Sequence, residues 1–332
     1  MSVVFRVCAA FSALLSLGTA SMAGARLLPK QYVIISFDGA HDLAQWERSR
    51  VLSRKTGANF TYFLSCVFLL SPDTRRSYQA PGKSAGKSNV GFAQSKQEVR
   101  DRLAQIWLAH KEGNEIASHG CGHFDGKDWS KKDWLAEFDA FTTILRDAYS
   151  INGVDGEPDD WRDFAENTVT GFRAPYLSTN AGLFAALTER GFVYDASAVS
   201  KGPAMPDRAG NPIRFALPQI PEGPSERRVI AMDYNLFVRH TAGIERADTD
   251  AVFENRAYEA FKAAFEVQYR GERVPLQLGF HFSLMNDGAY WRALERFAAE
   301  TCTRADVACV SYRDYLARSA PPTSKKDAGI GG

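Results

Sequence analysis

Six ionisable side chains lie directly after stretches of the sequence that are predicted to be buried strands. They are Asp38, His119, His123, Arg173, Asp233 and His281. Three of the six histidines in the chain belong to this set. Because the carboxyl ends of the strands in a barrel enzyme face one common mouth, residues at these positions are expected to meet there. Their coincidence favours an active site with acid–base or metal-assisted chemistry.

Each of these signals also has a simpler explanation when it is taken alone. His119 and His123 have a spacing that suits Zn²⁺. Gly120 and Gly122, however, indicate a turn between them, and the alternative is a polar loop that contains two histidines by chance. Asp38 ends an apolar strand, where an uncompensated carboxylate is costly, unless it caps the helix that follows. Arg173 fits a surface cation before a turn. His281, in the apolar segment LGFHF, fits a core histidine.

The elements that must position these residues alternate along the chain. Short β-branched runs predict strands over 32–37, 59–64, 114–118, 168–173, 192–194, 228–234, 275–282 and 307–311. Helical patterns follow them over 41–55, 95–113, 131–149, 181–190, 249–269, 289–300 and 312–318, while 71–92 and 201–224 are predicted loops. Seven or eight strands, each followed by a helix, predict an α/β fold, either a (β/α) barrel or an open doubly wound sheet. No glycine-rich phosphate-binding pattern follows any strand, which argues against nucleotide binding.

The N-terminus and the composition limit where the chain works. Residues 1–25 have the basic, apolar and small-residue order of a signal peptide, which predicts a secreted or periplasmic protein. A single domain is expected over 26–320, with a disordered tail over 321–332. The formal charge of +1 over 332 residues provides no field for nucleic acid. No membrane span is expected, and we predict a monomer.

Four cysteines remain after removal of the signal peptide, and an even number in an exported chain permits disulfides. Cys302 and Cys309 close a small loop and are the favoured pair. Cys66 with Cys121 follows by elimination. Buried free thiols are the alternative for both pairs.

Four short motifs, in their order and approximate spacing, resemble those of the NodB-type polysaccharide deacetylases of carbohydrate esterase family 4. They are Ser36-Phe37-Asp38-Gly39, Ser118-His119-Gly120-Cys121-Gly122-His123, Phe172-Arg173-Ala174-Pro175-Tyr176 and Leu278-Gly279-Phe280-His281. The segment 171–197 is particularly similar to chitin deacetylases. The resemblance extends over about 32–316 and implies a distorted, NodB-like (β/α) barrel of seven to eight strands.

The resemblance also implies roles for the residues that match the motifs. One divalent metal, with zinc favoured, is expected on His119 and His123, and Asp38 is expected to be the base that takes a proton from water. Arg173 would orient that base. His281 would protonate the leaving amine, and Asp233 would stabilise the imidazolium form of His281. Two tyrosines are expected to bind substrate: Tyr176, whose backbone N–H would also reach the oxyanion, and Tyr234.

One position departs from the family pattern. Members usually carry two adjacent acids, whereas this chain has Asp38 followed by Gly39. Three possibilities follow: Asp38 is itself a metal ligand, His41 or Asp42 replaces the missing carboxylate, or the metal site is degraded.

The function predicted from these observations is metal-dependent hydrolysis of N-acetyl groups from an N-acetylglucosamine polymer, chitin-like or peptidoglycan, with release of acetate. A carbohydrate-binding homologue that has lost catalysis on the same barrel is the first alternative, because of Gly39. Hydrolysis of another acyl or amide bond is the second.

Overall fold

The structure is a computed structural model that describes residues 29–319. The predicted signal peptide (1–25) and tail (321–332) lie outside the described residues. The described part contains nine strands, listed here in chain order: β1 (Gln31–Asp38), β2 (Thr61–Leu64), β3 (Glu115–Ser118), β4 (Gly171–Phe172), β5 (Tyr194–Ser200), β6 (Ile213–Glu222), β7 (Arg227–Ile230), β8 (Leu276–His281) and β9 (Val307–Val310).

The strands form one sheet in the order β7-β6-β5-β4-β3-β2-β1-β8. All pairs are parallel except β6 with β7, which are antiparallel. β9 pairs in parallel with the first half of β1. The sheet curls until Met232, just beyond β7, forms a single bridge with Gly279 of β8. The result is a distorted (β/α) barrel, so the predicted NodB-like fold is confirmed.

Ten helices connect and cover the strands of the described region. They are α1 (Leu43–Thr56), α2 (Lys96–Lys111), α3 (Lys131–Arg146), α4 (Ala148–Asn152), α5 (Trp161–Asp163), α6 (Ala181–Glu189), α7 (Asp233–Thr241), α8 (Val252–Arg270), α9 (Met285–Thr301) and α10 (Tyr312–Arg318). The side chains of Ser95, Ser130 and Asn180 cap α2, α3 and α6. None of the helices in residues 29–319 combines the length and apolar character that crossing a membrane requires.

Strand alternation decides which side chains reach the barrel interior. On β1, Val33, Ile35 and Phe37 belong to the outer core beneath the helices, whereas Ile34 belongs to the core inside the barrel. With a period of two residues, Asp38 shares the inner face with Ile34. The same alternation on β8 sends its leucines outward and places His281 inside.

Three details of the prediction are wrong. Residues 213–222, predicted within a loop, form the ten-residue strand β6. Residues 233–234, predicted to end a strand, begin α7. The described region has nine strands rather than seven or eight, and one pair is antiparallel.

Both predicted disulfides are confirmed. Cys66 is bonded to Cys121, and Cys302 to Cys309. The first ties the chain after β2 to the turn after β3, and the second ties the end of α9 to β9.

Candidate active site

The Asp38 carboxylate lies at the end of β1 and forms a buried ion pair with Arg173. Arg173 Nη1 donates to Asp38 Oδ1 over 2.7 Å, and Asp38 Oδ2 has no hydrogen-bond partner in the described chain. Burial alone would raise the pKa of the Asp38 carboxyl, but the charge of the Arg173 guanidinium and its hydrogen bond hold that pKa below its ordinary value. Asp38 is therefore ionised at neutral pH, with one oxygen available to the cavity.

Arg173 follows β4 and is wholly buried, so it is not a surface cation. Besides Asp38, its guanidinium donates to Ser36 Oγ at 2.9 Å, to the carbonyl of Ala196 at 3.0 Å and to Tyr312 Oη at 2.7 Å. Its guanidinium also lies 4.3 Å above the ring of Phe63. A planar cation with this many fixed acceptors has one orientation, and that orientation fixes Asp38.

His281 and Asp233 form the second charged pair at the mouth. His281 Nδ1 lies 2.6 Å from Asp233 Oδ1, and the His281 backbone N–H donates to Asp233 Oδ2 over 2.7 Å. Burial lowers the pKa of His281, but the Asp233 carboxylate outweighs it, so the pKa is raised above its ordinary value. Asp233 thus favours the protonated form of the imidazole, and Nε2 has no hydrogen-bond partner in the described chain. His281 is next to Asp38 on the adjacent strand, because Asp38 and His281 are register partners.

The two remaining histidines flank a tight turn after β3. The ring centroids of His119 and His123 are 5.0 Å apart. His119 Nδ1 lies 2.8 Å from the carbonyl oxygen of Arg173, which only accepts, so Nδ1 carries the proton and Nε2 carries the lone pair. Burial lowers the pKa of His119 to about 3 and also lowers the pKa of His123. Both rings are therefore neutral at neutral pH.

A buried carboxylate that the sequence analysis missed holds this turn. Glu137 of α3 is 2% exposed. It accepts from Cys121 N at 2.7 Å, from Gly122 N at 3.3 Å and from the Tyr78 hydroxyl at 2.9 Å. The Cys66–Cys121 disulfide ties the same turn to the chain after β2. Glu137 and the disulfide together fix the turn between the two histidines.

The donor set of this turn is incomplete for a divalent cation. His123 Nδ1 is buried and has no hydrogen-bond partner in the described region, and neutral imidazoles are suitable zinc ligands. Gly39, however, provides no carboxylate. Within residues 29–319, no three His, Cys, Asp or Glu side chains converge into a group that would hold a metal.

The two replacements considered for the missing carboxylate differ in the structure. The Asp42 carboxylate caps α1 by accepting from Gln45 N over 2.9 Å, and Asp42 does not line the cavity. His41 does line the cavity, with Nδ1 2.9 Å from the Gly39 carbonyl oxygen and its ring 5.1 Å from that of Phe68. Of the two, only His41 lines the cavity.

Asp38, His119, His123 and His281 line one cavity of about 610 Å³ at the barrel mouth. The predicted substrate-binding residues Tyr176 and Tyr234 line it as well and are 59% and 53% exposed. Tyr176 has a φ of +57°, a strained conformation for a residue with a side chain. Arg173 and Asp233 do not line the cavity. Arg173 contacts Asp38 and Asp233 contacts His281 from beneath the wall.

Not every aromatic residue near the reacting groups in sequence reaches the mouth. Trp134, Tyr290 and Trp291 are buried in the core and do not line the cavity. The predicted loop 71–92 contributes Val90 to the cavity, whereas 201–224 contributes no lining residue.

Comparison with known proteins shows similarity in three dimensions rather than in sequence. No protein-family model matches the chain, and no curated protein sequence matches it. Among solved structures, a protein of Mycobacterium smegmatis named as a candidate polysaccharide deacetylase is similar with a TM-score of 0.51 and 16% identity, over 87% of this chain and 90% of that one. The chain has the polysaccharide deacetylase fold.

Two further solved structures are similar to most of this chain. The peptidoglycan deacetylase of Bacillus subtilis has a TM-score of 0.43 at 12% identity, covering 86% of this chain and 89% of that one. The 4-alpha-glucanotransferase of Thermococcus litoralis has a TM-score of 0.52 at 11% identity, and the match covers 89% of this chain but 41% of that one. Because the deacetylase fold is similar to an enzyme of other chemistry as well, function must be argued from the site. The closer resemblance to chitin deacetylases stays a prediction.

Proposed function

We propose that this protein hydrolyses the N-acetyl amide of an N-acetylglucosamine polymer, chitin-like or peptidoglycan, and releases acetate. The observation that carries the proposal is the pairing of Asp38 with His281 on adjacent strands, each oriented by a second buried charge. One group is a carboxylate and the other an imidazole whose protonated form the Asp233 carboxylate favours, and amide hydrolysis needs a base and an acid of these kinds.

The reaction follows from these two groups. Asp38 takes a proton from a water molecule, and the water oxygen attacks the amide carbon. When the tetrahedral intermediate collapses, the carbon–nitrogen bond breaks and His281 gives its proton to the departing nitrogen. Arg173 and Asp233 are positioning residues, because they act through Asp38 and His281. The backbone N–H of Tyr176 is the proposed donor to the oxyanion.

The zinc ion predicted from the family resemblance stays a prediction. His119 and His123 would supply two nitrogen ligands to it, and Asp38 as a further ligand stays a prediction too. Within residues 29–319 no three His, Cys, Asp or Glu side chains are grouped closely enough to hold it. No step above depends on that ion.

A second function is favoured by one specific observation, Gly39 in place of a carboxylate. On that account the barrel binds glycans through Tyr176 and Tyr234 without hydrolysis. Secretion or export, a monomeric state and the glycan partner belong to both functions and stay predictions. The two disulfides suit an oxidising compartment.

One experiment separates the two functions. The purified protein is incubated with chitooligosaccharides, peptidoglycan fragments and acetylated xylan oligomers, with and without added Zn²⁺, and acetate is measured. Acetate release that is lost in Asp38→Asn and His281→Ala supports the hydrolase. Binding of the oligosaccharides without acetate release under either condition supports the binding protein. Release from xylan alone would assign an ester rather than an amide substrate.

A further inference from the structure

We propose that the cavity takes an N-acyl chain longer than acetyl, so that the preferred substrates are amino sugars bearing a medium-length aliphatic amide. This inference rests on the proposed function, because it names the substrate class of the same site. It stands on the size of the cavity, the chemistry of its wall and the position of its two rim tyrosines.

The cavity is much larger than an acetyl group requires. Its volume of about 610 Å³ is in the range of pockets that enclose drug-sized ligands. Asp38, His119 and His281 occupy one part of the wall. An acetyl methyl group next to these residues leaves most of the space without a ligand atom.

Most of the remaining wall is hydrocarbon. Seven apolar side chains of the described region line it: Phe68, Val90, Ala174, Leu177, Ile230, Met232 and Phe282. Apart from Asp38 and the three histidines His119, His123 and His281, the polar side chains on the wall are His41, Tyr176, Tyr234, Asn235 and Ser283. None of the Lys, Arg or Gln residues in 29–319 lines the cavity. A sugar ring carries a polar group on nearly every carbon, so a ring enclosed here would leave hydroxyls unpaired at a cost. An alkyl chain has no such cost.

The two tyrosines place the sugar outside this wall. Tyr176 and Tyr234 are more than half exposed. The ring centroid of Tyr176 lies 4.8 Å from that of His123, and the ring centroid of Tyr234 lies 6.2 Å from that of His281. A sugar stacked on this rim holds its amide next to Asp38 and His281. The acyl carbons attached to that amide then point toward the apolar wall.

Chain length therefore has a measurable effect. Each methylene moved from water onto an apolar wall strengthens binding about fourfold. The gain is expected to continue until the cavity is filled and then to stop.

The test measures binding and turnover separately on chitobiose bearing N-acetyl, N-butanoyl, N-hexanoyl or N-octanoyl groups. Dissociation constants come from titration calorimetry below the micelle concentration of each ligand, and turnover from the appearance of free amine. We expect the dissociation constant to fall about fourfold per added methylene up to at least hexanoyl. Equal or weaker binding of the longer chains, or no binding by any member, overturns the inference.

Variants of Ile230 locate the effect. Ile230 lines the cavity and is half-buried. Ile230→Trp is expected to abolish the gain by filling the space, and Ile230→Thr to reduce it by making the wall polar. Val267→Trp is the matched control, because Val267 is 67% exposed on α8 and does not line the cavity. If Ile230→Trp unfolds, Ile230→Thr decides. An unchanged chain-length series in Ile230→Thr then overturns the inference.

The failure of this inference is distinguishable from the failure of the proposed function. Tighter binding of longer chains without amine release from any ligand refutes the hydrolase and supports the acyl site. Amine release from the acetyl ligand with no effect of chain length on affinity supports the hydrolase and overturns the acyl site.

Discussion

The two sides of the cavity are built to different degrees of completeness. On one side, Asp38 and His281 each have a buried charged partner, Arg173 and Asp233, at 2.7 and 2.6 Å. On the other side, His119 and His123 are held by a rigid turn, but Gly39 stands where the family resemblance places a carboxylate.

The difference separates proton transfer from metal binding within one fold. A buried carboxylate without a charged partner is costly. Asp38 therefore depends on Arg173, and Asp233 depends on His281. Gly39 has no such dependence. Its φ of +61° and the open space around it leave the backbone turn intact without a side chain. The acid–base half is therefore the part that mutations will damage most.

The largest effect is expected for Asp38→Asn. The amide retains a hydrogen-bond acceptor for Arg173 but cannot take a proton, so kcat is expected to fall by about 10²- to 10⁴-fold. Acetate release from chitooligosaccharides measures it. Asp42→Ser is the control, because serine also caps α1 and Asp42 lies outside the cavity. Comparable losses in both variants would place Asp42 in the site and contradict the assignment.

Asp233→Asn is expected to have the next largest effect, about tenfold to a hundredfold in kcat. The Asp233 carboxylate raises the pKa of His281, so its loss lowers that pKa. The general acid then loses its proton at lower pH, and the alkaline limb of the kcat profile moves to lower pH. The pH profiles of both proteins measure the shift.

The contribution of the His281–Asp233 pair to the free energy of unfolding also decreases as pH rises. Because the folded-state pKa is raised, the stabilisation is complete below the ordinary pKa of histidine and is lost as pH rises through the folded-state pKa. The control for Asp233→Asn is Asp287→Asn, which removes an exposed carboxylate from the chain that follows β8. An unmoved alkaline limb in Asp233→Asn would show that His281 is not the acid.

Strand ends were enough to predict that Asp38 and His281 lie at one mouth, whereas their roles as base and acid come from the family resemblance and stay predictions. Asp38 and His281 end apolar strands, and the period of two residues turns them inward with Ile34. The sequence misled where the usual signals conflict. Pro218 and Pro221 indicate a loop, yet both lie in β6. The backbone carbonyl of Pro218 still accepts from Ala231 N over 2.9 Å, because proline removes a donor and leaves the acceptor.

Glu137, which we call the clamp, holds the turn between His119 and His123, the histidine turn. Its role could not be predicted, for a different reason. Glu137 is one of many charged residues on helices, and its partners are backbone groups of a turn distant in sequence. One local signal was present: Glu137 is spaced three residues from Trp134 and four from Phe141, both buried, so it lies on the apolar face of α3. Tyr78, in a predicted loop, had no such signal.

Glu137→Ala tests whether this clamp sets the histidine turn. Cys121 N and the Tyr78 hydroxyl lose their acceptor, whereas Gly122 N keeps the Tyr78 hydroxyl oxygen at 3.0 Å. The free energy of unfolding is therefore expected to fall by about 1–3 kcal/mol in urea titrations. The ring ¹⁵N signals of His119 and His123 are expected to shift with the turn. Glu137→Gln retains one acceptor and is expected to recover part of both effects.

The control for the clamp is Asp139→Ala on the same helix. The Asp139 side chain is 58% exposed and pairs with Arg190 at the surface, where such pairs contribute little. Equal destabilisation by Glu137→Ala and Asp139→Ala, or unmoved histidine signals in Glu137→Ala, would mean that the clamp does not hold the turn.

Gly39→Asp tests the incomplete half directly and is expected to have the smallest effect. A Cβ at Gly39 meets no atom within 4 Å, and Asp is among the residues that tolerate a positive φ. A third ligand next to His119 and His123 is expected to strengthen Zn²⁺ binding about tenfold or more in calorimetric titrations.

Two variants separate ligation from charge in that experiment. Gly57→Asp adds a carboxylate at a position with φ +70° and equal space, but at the end of α1 and outside the cavity. Gly39→Asn adds the same volume without the charge. If Gly39→Asp binds Zn²⁺ no more tightly than these two, the histidine turn is not a metal half-site, and the acid–base pair is the whole of the reacting machinery.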